Sequence, residues 1–178
     1  MTTRVALVRG INVGGHRSLP MAELRTLLEG LGFDHVRTYI QSGNVVYRTA
    51  GRTSNSATAL AREATRISAA INDAKGFEPV VFVLSADAVA AHLAASPFGG
   101  DDPSRTFLVF VDGDAAALDP LVTVGREEVE VIDGVIHLRA PDGVGTSKLA
   151  ARLAASKRPP TTARNLRTMT KLLELAAD

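Results

Sequence analysis

Residues 36–48 read Val-Arg-Thr-Tyr-Ile-Gln-Ser-Gly-Asn-Val-Val-Tyr-Arg, and this stretch decides the fold of the first half of the chain. Two β-rich runs are joined there by Gln-Ser-Gly-Asn, which predicts a β-hairpin. A strand over 5–8 and a helix opened by Pro20 come before the hairpin, and a long helix and a strand over 79–84 follow it. The order β-α-β-β-α-β is that of a ferredoxin-like fold.

The second half repeats this order up to its last element. After a helix over 86–95 and a Pro/Gly-rich segment, the patterns predict a strand, a short helix and a hairpin turning at Asp133-Gly134. Helices are then predicted over 147–155 and 162–176. The second of these helices stands where the first half has its last strand. We therefore expect an α+β fold of two ferredoxin-like halves packed together, with C-terminal helices completing the second half.

The expected domain boundaries follow from the Pro/Gly-rich segment. We predict an N-terminal ferredoxin-like subdomain over residues 1–95, a linker over 96–104, and a C-terminal α+β subdomain with a basic helical tail over 105–178. No repeat is visible at the level of individual residues, so the predicted duplication is one of architecture.

Composition excludes several classes of protein. Apolar residues make up 46% of the chain and charged residues 22%, which is typical of a globular protein. The absence of cysteine excludes disulfides, thiolate zinc sites, iron–sulfur clusters and cysteine nucleophiles. No apolar run approaches the roughly 20 residues that span a bilayer, and the first residues do not resemble a secretory signal. We therefore expect a cytoplasmic protein without a membrane partner; its oligomeric state stays open.

The charge of the chain is segregated. Residues 143–173 hold seven basic side chains and no acidic one, whereas residues 101–142 hold ten acidic side chains and three basic ones, although the net charge is only +1. Such a cationic tract predicts a surface that meets an anion. The alternative is that the basic tract is balanced by the acidic segment of the same chain or of a partner subunit.

Two loops of the first half are rich in small polar residues. The loop over 9–17 reads Arg-Gly-Ile-Asn-Val-Gly-Gly-His-Arg; its glycines would let backbone amides approach a ligand, and a helix start follows. It matches neither the Walker A loop nor the dinucleotide fingerprint. The second loop is the Gln-Ser-Gly-Asn turn over 41–44. For both loops the alternative is that these residues serve only the turn.

The C-terminal region carries charges that oppose a helix dipole. If Thr161 or Thr162 caps the last helix, Arg164 and Arg167 lie in its first turns, where cations are disfavoured and a bound anion would remove the conflict. A second small-polar loop leads to Lys148 at the start of another helix. The four histidines are too far apart in sequence to predict a metal site. No nucleophile–base pair is recognisable, so neither catalytic residues nor a cofactor can be assigned.

Four motifs, in order, resemble a known bacterial family. They are Arg-Gly-Ile-Asn-Val-Gly-Gly at 9–15, Thr-Tyr-Ile-Gln-Ser-Gly-Asn-Val-Val at 38–46, Ser-Lys-Leu at 147–149 and Thr-Ala-Arg-Asn at 162–165. Together they are similar to the uncharacterised family called domain of unknown function 1697. The resemblance implies an α+β fold with ferredoxin-like character and no established activity. Leu166 stands where relatives often have tryptophan, and Tyr47 stands where they often have phenylalanine.

The four family motifs coincide with the small polar loops and the basic C-terminal segments described above. This coincidence predicts one composite ligand site with residues from both halves. Its residues are Arg9, Asn12, Gly14, Gly15, Gln41, Ser42, Asn44, Ser147, Lys148, Thr162, Arg164 and Asn165. The leading hypothesis is a binder of a phosphate-bearing or other anionic ligand, either a small nucleotide or a nucleic acid. The alternatives are an enzyme acting on a small anionic metabolite, with Lys148 or His16 as proton carrier, and a non-catalytic interaction module.

Overall fold

The computed structural model describes residues 1–51, 53–118, 120–157 and 159–178. The chain divides into two compact units. The first unit comprises Met1–Val89 and Lys171–Asp178, and the second unit comprises Ala90–Thr170. Two helices, α3 (Ala86–Ala95) and α5 (Leu166–Ala177), each contribute residues to both units.

The first unit has the predicted element order. Its strands and helices are β1 (Thr2–Val8), α1 (Met21–Gly30), β2 (Asp34–Tyr39), β3 (Asn44–Thr49), α2 (Ala57–Lys75) and β4 (Val81–Ser85). The sheet runs β2-β3-β1-β4, and every neighbouring pair is antiparallel. This arrangement confirms the ferredoxin-like character expected of the first half.

The core of the first unit forms between one face of the sheet and the two helices. Period-2 alternation places Ala6 and Val8 on the face that packs against Leu24 of α1 and Ile67 of α2. The helix α2 begins where Ser56 Oγ accepts the Ala59 N–H at 3.3 Å, which caps the helix. Both helices are therefore amphipathic elements whose apolar stripes are buried by the sheet.

The second unit repeats this topology with a strand that the sequence did not predict. It contains β5 (Thr106–Val111), a 3-10 helix (Ala115–Leu118), β6 (Glu128–Ile132), β7 (Val135–Arg139), α4 (Lys148–Ala155) and β8 (Thr161–Asn165). The sheet runs β6-β7-β5-β8 and is antiparallel throughout. The chain thus has two similar halves of the α+β class, as expected.

The expectation that a helix begins at Thr162 was wrong. Thr161–Asn165 pairs with β5 in the register Val111↔Thr161 to Phe107↔Asn165, and α5 begins at Leu166. Asn165 Oδ1 accepts the Thr168 N–H at 2.9 Å, so Asn165 is the capping residue. Arg164 is therefore a strand residue, and only Arg167 lies in the first turn of α5.

The second unit has its own core, in which Val109 of β5 and Ile136 of β7 pack with Leu149 of α4. Among the described residues, no helix combines the length and the hydropathy that crossing a membrane requires.

Candidate functional site

The Asn12 side chain forms hydrogen bonds that connect the two polar loops of the first unit. Its side-chain Nδ2 donates to the carbonyls of Leu19, at 2.8 Å, and Gln41, at 2.9 Å, while its Oδ1 accepts the Leu19 N–H at 2.8 Å. Its φ of +55° lies in the left-handed region, which asparagine tolerates better than most residues. The Asn12 carboxamide thus holds the loop that follows β1 against the turn between β2 and β3.

The turn between β2 and β3 packs directly on the end of β1. Gly43 has φ +76°, and a Cβ there would lie 2.9 Å from both Val8 O and Val8 Cβ. The Val8 N–H donates to the Gly43 carbonyl at 2.8 Å. The buried Asn44 side chain closes the turn by donating to Tyr39 O, at 3.1 Å, and to Ser42 Oγ, at 2.9 Å. Turn chemistry and close packing therefore account for these contacts of Asn44 and Ser42.

The glycine pair of the first loop is the tip of a small hairpin. Val13 and His16 form an isolated bridge in which the His16 N–H donates to Val13 O at 3.2 Å. Gly14, with φ +60°, and Gly15, with φ +76°, are the two central residues of a turn of type I′. Five residues separate Gly15 from Met21, the first residue of α1. The glycines are exposed at a loop tip and do not lead directly into the helix.

Arg164 lies on the edge strand β8 of the second sheet. Its Nη1 donates to Thr162 Oγ1 at 2.9 Å and to Ala163 O at 2.8 Å. Burial lowers the pKa of Arg164 to about 10. In the sheet register Leu108 is opposite both Arg164 and His137, so these three side chains share one row on the same sheet face.

His137 is a buried polar residue that the sequence did not single out as a candidate. It has no exposed surface, and neither ring nitrogen has a hydrogen-bond partner in the described part of the chain. Its ring centroid lies 5.9 Å from that of His92, and burial together with His92 lowers its pKa. The available signal was the run Val-Ile-His-Leu over 135–138, which places an imidazole inside a buried strand. A buried polar group without a partner requires an explanation, such as a bound water or ligand.

The start of α4 is arranged as its sequence suggested. The buried Ser147 Oγ accepts the Ala150 N–H at 2.9 Å and caps the helix, which leaves Lys148 exposed in the first turn. Thr161 Oγ1 on β8 donates to Leu153 O at 2.6 Å and joins the far end of α4 to the strand. Capping accounts for Ser147 but gives no reason for a lysine at this end of a helix.

The candidate residues therefore fall into two groups. Arg9 follows β1, and Asn12, Gly14, Gly15, Gln41, Ser42 and Asn44 occupy the two joined loops of the first unit. The other group, in the second unit, consists of Ser147, Lys148, Thr162, Arg164 and Asn165 on α4 and β8. The union of the two groups in one composite site stays a prediction. Within the described ranges, no group of three His, Asp or Glu side chains is placed to hold a metal ion.

A buried ionic network in the first unit was also missed by sequence reasoning. Arg4 is fully buried on β1, and its Nε lies 3.3 Å from Glu63 Oε2, which also accepts the Tyr47 hydroxyl at 2.9 Å. Arg4 Nη2 donates to Thr53 Oγ1, at 3.0 Å, and to Ser54 O, at 2.8 Å. Burial, and then the adjacent carboxylate, raise the pKa of Tyr47. The network fixes the segment before α2 to the sheet.

Two antiparallel sheets of the same strand order, each with helices, define a protein of duplicated ferredoxin-like architecture. The family model for the protein of unknown function DUF1697 matches residues 1–137, and the chain belongs to this family. Among solved structures, the conserved bacterial protein SP0830 from Streptococcus pneumoniae is similar, with 24% identity, a TM-score of 0.77 and coverage of 98% of both chains. That likeness concerns the fold. Comparison with curated proteins gives no significant match.

Proposed function

We propose that the protein binds a small phosphate-bearing anion and that Arg164 contacts this ligand. The observation that carries the proposal is the half-buried guanidinium of Arg164 on β8, whose pKa burial lowers to about 10. Burial makes the charged form costly, and a bound anion offsets that cost. The planar fork of arginine suits phosphate oxygens because it can donate two parallel hydrogen bonds.

The surroundings of Arg164 support a ligand of this type. Thr162 Oγ1 accepts from the guanidinium and fixes its orientation, while the buried Leu108 lies opposite Arg164 in the sheet. A hydrogen bond to a charged group is stronger where the local dielectric constant is low. His137, in the same row, has a lowered pKa, and as a neutral imidazole it offers one further N–H donor, since neither ring nitrogen has a hydrogen-bond partner in the described chain.

Burial favours a small anion over a nucleic acid. Exposed Lys and Arg side chains bind the phosphates of a nucleic-acid backbone. The affinity of such binding decreases steeply with salt because counterions are released. Lys148 and Arg167 are exposed, but Arg164 is not. We therefore expect binding of pyrophosphate or tripolyphosphate to depend on Arg164 and to change little with salt. Binding of oligonucleotides alone, lost with rising salt, would favour the nucleic-acid hypothesis instead.

The test is titration calorimetry with tripolyphosphate on the full chain and on two matched variants. Arg164→Lys keeps the charge and removes the fork, so its dissociation constant should rise about tenfold or more, in line with the loss of one charge-assisted hydrogen bond. Arg167→Lys changes an exposed arginine of the same region and should bind as the parent does. Equal losses in both variants, or none in either, would contradict a specific role of Arg164.

A further inference from the structure

The strand β6 is an open edge of the second sheet. In the strand order β6-β7-β5-β8 it pairs with β7 on one side, and no described strand pairs with its other side. The other three described edge strands, β2, β4 and β8, each contain at least one buried residue, whereas β6 contains none. An exposed edge of this kind offers a row of backbone donors and acceptors to a further strand.

The edge formed by β6 is also regular. Each of its residues pairs with β7 without a shift of register. The edge strand β2, in contrast, has a shift of register between Asp34 and Arg37, where His35 has φ +50°. Bulges, prolines and lysines are common means of blocking an edge, and β6 has none of the three.

The geometry of the hairpin determines which backbone groups of β6 point outward. Ile132 and Val135 flank the two-residue turn Asp133-Gly134 and therefore form a hydrogen-bonded pair. Hydrogen-bonded and non-hydrogen-bonded pairs alternate along an antiparallel ladder, so the N–H and C=O groups of Val129 and Val131 point away from β7. These two residues are the ones that would hydrogen-bond to an added strand.

Acidic and apolar side chains alternate along β6. Glu128 and Glu130 lie on one face of the sheet, and Val129 and Val131 lie on the other, where Val131 is 46% exposed. The side chains of an added strand would lie opposite the carboxylates on the first face and opposite the valines on the second. Basic residues on the first face and apolar residues on the second would complement them.

The basic groups next to Glu130 do not neutralise its charge. Its opposite residue on β7, His137, is fully buried and has a lowered pKa, so it is uncharged at neutral pH. The Arg139 guanidinium forms an ion pair with Glu128, and its Nε lies 3.2 Å from Asp101 Oδ1. Glu130 is exposed, and no ion pair joins it to another described residue.

We propose that β6 is the docking edge for an extended peptide segment of a protein partner in which basic and apolar residues alternate. The segment adds a strand to the second sheet by hydrogen bonds to Val129 and Val131, with its basic side chains opposite Glu128 and Glu130. A second copy of the chain fits less well, because a two-fold pairing centred on β6 sets Glu130 opposite Glu130, where like charges are destabilising. The inference is independent of the proposed anion binding, since Arg164 lies on the other edge strand of this sheet.

The first experiment is fluorescence anisotropy with the labelled peptide Thr-Arg-Val-Arg-Val-Arg-Val-Thr and the full chain. The control peptide Thr-Arg-Arg-Arg-Val-Val-Val-Thr has the same composition and charge without the alternation, and we expect it to bind about tenfold more weakly. In hydrogen exchange, the alternating peptide should slow the exchange of the Val129 and Val131 amides. Equal affinity for the two peptides, or no binding of either, would overturn the inference.

Variants of β6 separate strand addition from simple charge attraction. Val131→Pro removes an outward N–H and keeps the hydrogen bonds to β7, so the alternating peptide should bind about tenfold more weakly. Val131→Thr keeps both the N–H and a β-branched side chain, and should bind as the parent does. Should Val131→Pro fail to fold, Glu130→Lys decides, because it should lose affinity for the alternating peptide and gain affinity for its counterpart with Glu in place of Arg.

Two further outcomes would overturn the inference. The first is unchanged affinity for the alternating peptide in Val131→Pro or in Glu130→Lys. The second is a dimer of the chain in analytical ultracentrifugation that Val131→Pro abolishes, which would identify a second copy as the occupant of this edge.

Discussion

Removal of one partner from the buried Arg4–Glu63 pair should destabilise the protein strongly. In Glu63→Gln the shape is kept, but Arg4 stays fully buried and loses its carboxylate at 3.3 Å. Breaking a buried pair in this way costs about 3–5 kcal/mol. We expect the lower end, about 3 kcal/mol, because the guanidinium still donates to Thr53 Oγ1 and Ser54 O. For a chain of this size that corresponds to a fall in Tm of roughly 6–12 °C.

The assay is denaturant unfolding of Glu63→Gln, together with Arg4→Met, Glu63→Leu and the double variant Arg4→Met/Glu63→Leu. Each single substitution leaves one buried charge without its partner, whereas the double variant replaces the pair by apolar side chains. The double variant should therefore be more stable than either single variant. The exposed pair Lys75–Glu23, joined at 2.9 Å, provides the control. Glu23→Gln should cost less than about 1 kcal/mol. If the effects at positions 4 and 63 add within about 0.5 kcal/mol, the two side chains are not coupled and the reasoning is refuted.

Two further predictions concern pH and packing. Burial lowers the pKa of His137 in the folded protein, so the His137 side chain binds a proton more readily in the unfolded chain. The free energy of unfolding is therefore at its full value above about pH 6.5 and decreases as the pH falls below that value. In His137→Leu, the decrease in the free energy of unfolding between pH 7 and pH 5 should become smaller. An unchanged decrease would exclude His137 as its source. Gly43→Ala should cost about 2–4 kcal/mol, because it adds a clash with Val8 to the strain of a positive φ. Gly76→Ala, at a similar φ with open space around it, should cost only about 1 kcal/mol, and equal costs would show that the clash is relieved.

Most of the architecture could be predicted because local patterns agree with it. Alternating residues in β7 and the Asp133-Gly134 turn, with φ +48° and +77°, specify a hairpin without any knowledge of the rest of the chain. The strand β8 could not be predicted in the same way. Thr161, Thr162 and Asn165 are all acceptable helix caps, and what makes Thr161–Asn165 a strand is its pairing with β5, about fifty residues earlier in sequence.

The candidate site was only partly accessible to sequence reasoning. Small polar residues suit both ligands and turns, so the sequence could not reveal that the Asn12 and Asn44 carboxamides close loops of their own unit. The isolated His137 gave no motif, because its environment is set by the neighbouring strand and by His92. Arg4 likewise finds its carboxylate 59 positions away in the sequence.

The reason to expect an anion near Arg164 changes once its position is known. In the sequence, the argument depended on a cation in the first turn of a helix, where the field of the helix opposes it and salt screens the effect. In the structure, Arg164 lies on β8, before the helix, and the cost of its charge comes from burial. Buried charges are screened much less than exposed ones. The two arguments therefore differ in a measurable way: a ligand that meets Arg164 should lose little affinity when the salt concentration is raised, whereas one attracted by exposed Lys148 and Arg167 should lose most of it.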